Sequence, residues 1–151
     1  MFIAIPLHIL ATVIWVGGMF FAYMALRPVA ASLLEPPLRL PLWSQVFARF
    51  FPWVWAAVII LLATGLWMVF STFGGFGHVG VYVHLMTTIG LLMMLLFMHV
   101  FFGPYRRMKL ALAANDIPEA GRRLGQIRMI IGINLALGLI VTVVASAGRF
   151  L

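Results

Sequence analysis

Four histidines, His8, His78, His84 and His99, are the side chains here best suited to hold a metal or a cofactor. None of the 151 residues is cysteine, which excludes disulfides, thiolate metal sites and a cysteine nucleophile. His8 and His84 each stand near the start of a long apolar run. Counted from the middle of those runs at ~1.5 Å per helical residue, both lie ~10 Å above the bilayer centre. Two neutral imidazoles at one depth on different helices can ligate one metal ion or clamp one haem iron. Each can equally hydrogen-bond to a neighbouring backbone or hydroxyl group. The matched depth is what argues for a shared ligand, with Met86, close after His84, as the alternative partner in the pair.

The neighbours of these histidines suit a flat ligand or close helix packing. His8, Ala11, Trp15, Gly18 and Ala22 follow three- and four-residue steps on one stripe. Small residues at that spacing admit another helix or a macrocycle. Trp15, Gly18 and Thr88 are the expected pocket lining. Asn134, Gly138, Thr142 and Ser146 form a similar stripe in the last apolar run. Asn134 can bind a buried ligand or pack against another helix. His99 can serve a second site with Tyr23 or Asn134, or reach towards water. His78 can meet a metal on entry or be solvated. Ten methionines, with Met86, Met93, Met94 and Met98 close together, raise a copper alternative, since thioethers suit Cu(I). Methionine is also an ordinary filler of apolar interfaces.

The elements that carry these residues are read from hydropathy. The chain is 65% hydrophobic and 9% charged, where a soluble domain has about a quarter of its residues charged. Lipid is therefore its main solvent. A helix needs ~20 mainly apolar residues to cross the hydrocarbon core. Four stretches qualify, at about 2–26, 50–73, 79–102 and 127–148, giving an all-α integral membrane protein, a four-helix bundle forming one domain over 1–151. The first run has no basic start and exceeds a signal core, so it reads as a span.

Of the ten Lys and Arg residues, Arg27, Arg39, Arg49, Arg106, Arg107, Lys109, Arg122, Arg123 and Arg128 fall in the first and third loops. Arg149 alone falls on the other side. By the positive-inside rule those loops face the cytoplasm and both termini are periplasmic, in a bacterial inner membrane. The net charge of +7 is thus a topology signal, and no nucleic-acid partner is expected. Within the first loop, Trp43, Val46 and Phe47 suggest an interfacial segment. Asp116-Ile-Pro-Glu119 reads as a helix start with a capping box.

Pro6-Leu-His8-Ile-Leu-Ala-Thr-Val-Ile-Trp15-Val-Gly17-Gly18 resembles the first helix of the CopD family of bacterial membrane proteins. Leu40-Pro-Leu-Trp43, Phe47-Ala-Arg49-Phe-Phe-Pro52-Trp53, Ala63-Thr-Gly65-Leu-Trp67 and His99-Val-Phe-Phe-Gly-Pro-Tyr105-Arg106-Arg107 look like its short, single-bundle members, as does Gly125-Gln-Ile-Arg128. That resemblance implies copper handling. More distantly, His8, Trp15 and Gly17 or Gly18 resemble the first helix of the HemJ-type protoporphyrinogen oxidases, which implies association with haem b. Met86 stands where that family has a lysine, and Asn134 lacks a following acid. Both departures speak against oxidase activity and leave haem binding open.

The lead expectation is accordingly a haem b protein with a redox or electron-transfer role, His8 and His84 ligating the iron. Quinol or another redox protein would be its partner beside membrane lipids, and a homodimer is compatible with the apolar surface. The alternative is a copper-binding or copper-transport protein using His8, His84 and Met86. A structural subunit of a membrane complex is the third reading.

Overall fold

Proline and glycine set where the helices begin, bend and end. In the computed structural model, which describes residues 1–150, helix α1 covers Ala4–Phe21. Leu151, the last residue of the domain expected over 1–151, lies outside the described residues. Helix α1 continues through a π-helical turn, Ala22–Leu26, into α2, Arg27–Leu33. Pro28 stands in the first turn of α2. Its ring lacks an N–H and crowds the carbonyl four residues earlier, on Met24. Widening the preceding turn to i→i+5 spacing makes room for it.

Extended backbone at Leu34 and Glu35 separates α2 from α3, Pro36–Thr72. From sequence the stretch up to Arg49 is expected as a loop with an interfacial segment. It is instead the first part of one 37-residue helix. Pro36 and Pro37 sit in the first turn, where a helix has no use for an N–H. Leu40, Trp43, Phe47, Phe51 and Val54 then recur at three- and four-residue steps and are all buried. At ~1.5 Å per residue α3 is ~55 Å long, well beyond the ~30 Å of a hydrocarbon core.

Helix α4 covers Val81–Phe102 and ends at Gly103, which leaves the helical region ahead of Pro104. Helix α5, Pro104–Ala113, closes on Asn115 in a left-handed conformation (φ 55°). Asp116 N–H donates to the Ala111 carbonyl at 2.8 Å and Asn115 N–H to the Leu112 carbonyl at 3.1 Å, a Schellman pair. The same Asp116 starts α6, Ile117–Ala147, its carboxylate accepting from Glu119 N–H at 3.2 Å. The expected capping box is only half made. Glu119 turns its carboxylate to Arg122 and Arg123 instead.

Four segments are thus long and apolar enough to span a membrane: Ala4–Leu33, Pro36–Thr72, Val81–Ala113 and Ile117–Phe150. No strand occurs among the described residues. They pair as two hairpins, α1 with α3 and α4 with α6. Thr72 donates to Met1 Sδ at 3.1 Å at the open end of the first hairpin. Tyr82 packs onto Gly148 at the open end of the second, leaving no room for a side chain there. Both termini therefore share one end of the bundle with the 74–80 loop, and the arginine-rich connections share the other.

Between the hairpins, Phe97 takes the edges or faces of Trp15 (6.3 Å between ring centroids), Phe51 (5.4 Å) and Trp55 (5.1 Å). Gly138 lets α6 approach Val16 and Met93. In lipid such interdigitation, not apolar burial as such, holds helices together. Outside, Val13, Phe21, Ile59, Phe70, Leu95 and Val143 are exposed, a surface made for lipid contact.

Candidate functional site

His8 points from α1 to α3. Its ring lies over Gly65, where a Cβ would stand 3.4 Å from Cε1. Thr64 donates its hydroxyl proton to the Ile60 carbonyl at 2.6 Å. Thr64 Oγ1 is then an acceptor, and His8 Nδ1, 2.8 Å away, is the donor. The tautomer protonated on Nδ1 is the one that satisfies both bonds at once. Nε2 keeps its lone pair and makes no hydrogen bond among the described residues. An oxygen that accepts from one ring nitrogen and so orients the imidazole is the usual support of a metal-ligating histidine.

His84 is exposed on α4, its ring tilted against Phe76 at 6.1 Å between centroids. No hydrogen bond or ring contact joins it to His8 among the described residues. Thr88, one turn further on, is exposed, and Met86 is half-buried. His99 is exposed near the other end of α4, while Tyr23 packs on Gly132 and Asn134 bonds to α4 backbone. His78 is exposed in a short 3-10 turn, Phe76–His78.

Two of the expected lining residues are occupied by packing. Trp15 is buried edge-on to Phe97, and the Phe50 ring fills the space over Gly18. A flat ligand has no entry there. The cavity beside them, lined by Trp15, Phe97 and Asn134 among others, measures only ≈ 20 Å³. A second cavity of ≈ 410 Å³ opens at the arginine-rich end, but no histidine lines it. Neither cavity joins room for a haem to an axial imidazole. The haem b of the lead expectation is therefore not supported, and no cluster of three or more His, Cys, Asp or Glu side chains that could hold a metal occurs among the described residues.

The interior supplies further soft donors. Met19, Met93, Met94 and Met108 are buried. The Met93 methyl group lies over Gly138, one turn from Asn134 on the same face of α6. Asn134 Nδ2 donates to the Met93 carbonyl at 3.2 Å, while Asn134 Oδ1 is buried with no partner among the protein groups. Two features escaped sequence reasoning. One is Thr64, whose role depends on which way α3 is rotated. The other is the arginine-lined cavity, whose members come from three separate segments.

Residues 44–147, more than half of the chain, match the family Copper resistance protein D (CopD). The matched stretch contains His78, His84, Met86, Met93, His99 and Asn134, and the helix with His8, Trp15 and Gly18 precedes it. No curated protein matches the chain significantly, and neither does any solved structure.

Proposed function

Because the chain belongs to the CopD family of copper resistance proteins, we propose that it is a multi-pass protein of a bacterial inner membrane that binds and moves copper. The observation that carries this reading is His8, whose Nδ1 lies 2.8 Å from Thr64 Oγ1 while Nε2 has no protein partner among the described residues. Copper is here the cargo. Cu(I) favours thioether and imidazole donors, and buried Met19, Met93 and Met94 supply the former inside the bundle. With the arginine-rich end in the cytoplasm, as the positive-inside rule requires, both termini face the periplasm. His8, His78 and His84 then meet the ion on that side.

The test is copper accumulation and growth on copper in cells making the wild type, His8→Ala, or Met93→Leu with Met94→Leu, at matched protein levels. Each variant is expected to change both readouts several-fold. Wild-type behaviour in both variants would refute the proposal. A visible spectrum of the purified protein, oxidised and reduced, provides the counter-test. Sharp reduced bands that vanish in His8→Ala would replace copper by haem.

A further inference from the structure

At the arginine-rich end, the ≈ 410 Å³ cavity lies between the turn joining α1 to α2, the start of α3 and the first half of α6. Three cations line it: Arg27, Arg39 and Arg128. The three acidic residues of the chain, Glu35, Asp116 and Glu119, are absent from its wall. Glu119 is engaged by Arg122 and Arg123, outside the cavity, and these are the only salt bridges among the described residues. The cavity therefore holds three uncompensated positive charges. Much of the rest of its lining is apolar, with Leu40, Trp43, Phe47 and Ile131.

Arg27 and Arg39 are held in place. The π-helical turn carries Tyr23, whose ring lies against Gly132 of α6, where a Cβ would stand only 3.0 Å from Cε2. The Arg27 guanidinium stacks 4.4 Å above that ring, and its Nε donates to the Tyr23 carbonyl at 3.2 Å. Arg39 Nη1 makes two long bonds, at 3.4 Å each, to the Ala31 and Leu34 carbonyls. Both contacts leave most of each fork of donors unused. Arg128 makes no hydrogen bond to protein among the described residues.

We propose that this cavity binds one acidic phospholipid. The three guanidinium groups take its phosphate, and the apolar wall of Leu40, Trp43, Phe47 and Ile131 takes the start of an acyl chain. Guanidinium forks match phosphate oxygens in shape and charge. An amphipathic ligand fits best, because cationic and apolar side chains line one space. The site is independent of copper handling and of His8.

Native mass spectrometry tests this on the full chain, purified into micelles holding equal amounts of dioleoylphosphatidylglycerol and dioleoylphosphatidylcholine. The wild type is expected to retain one phosphatidylglycerol in preference to phosphatidylcholine. Arg128→Gln, which breaks no internal bond, should lower that preference about fivefold. The same change at Arg27, Arg39 and Arg128 together should abolish it. Arg106→Gln with Arg107→Gln, an equal kind of change outside the cavity, should leave it intact. An excess of inorganic phosphate should not displace the lipid. Equal retention of the two lipids by the wild type, an unaltered preference in Arg128→Gln, or an equal loss from the Arg106 and Arg107 variant would each overturn the proposal. Displacement by phosphate would assign the arginines to a free anion and overturn the lipid.

Discussion

Replacing Asn134 by leucine should make the protein more stable. The side chain is 3% exposed, yet no protein donor reaches its Oδ1. A buried carbonyl left without a partner costs about 1–3 kcal/mol. Against that stands the bond from Nδ2 to the Met93 carbonyl at 3.2 Å, and bonds of this kind between membrane helices average about 0.6 kcal/mol. Leucine has nearly the same branching, and the adjoining ≈ 20 Å³ cavity takes up part of its extra volume. The balance favours Asn134→Leu by about 1 kcal/mol. For a chain of this size that corresponds to a rise in Tm of about 2–4 °C. Thermal or SDS-induced unfolding of the copper-free protein in detergent reads it directly. A loss of about 1 kcal/mol or more would refute the reasoning. It would mean that Oδ1 is satisfied by a bound group, and that the centre of the bundle is a ligand site rather than a packed core.

The other expectations bear on helix docking and helix starts. Gly138→Ala places a Cβ 2.9 Å from Val16 Cγ2 and 3.2 Å from Met93 Cε, so overpacking should cost about 1–3 kcal/mol in the same unfolding measurement. An unchanged midpoint would show that the hairpins do not dock at Gly138. Asp116→Ala removes the acceptor for Glu119 N–H and should cost about 1 kcal/mol. Hydrogen exchange in the first turn of α6 should speed up selectively, and uniform exchange across α6 would contradict the cap.

Much of the fold was legible because lipid writes a coarse code. Four long apolar runs, the Gly103-Pro104 break and the Asp116 helix start all follow from local chemistry. The start of α3 did not, because Pro36, Pro37 and Pro41 look like breakers unless one knows that the first two occupy a first turn. The candidate site was legible in height but not in azimuth. Counting residues places His8 and His84 at one depth, yet rotation about each helix is set by contacts distant in sequence. Gly65 and Thr64 turn His8 towards α3, and Phe76 takes the face of His84. The same limit applies to Gly18. Its smallness was visible, but that a phenylalanine from α3 fills the space was not.

The pairing of the spans has a consequence for how the chain is made. Each hairpin joins two spans consecutive in the chain and is closed at its open end, by Thr72 on Met1 in one and Tyr82 on Gly148 in the other. A ribosome delivering the chain from its start thus presents the bilayer with two successive, self-complementary pairs. The aromatic seam around Phe97 can form only once α4 has been added. Until then Trp15, Phe51 and Trp55 face lipid or the insertion machinery. A chain that ends before α4 is unfinished on the face that closes the bundle.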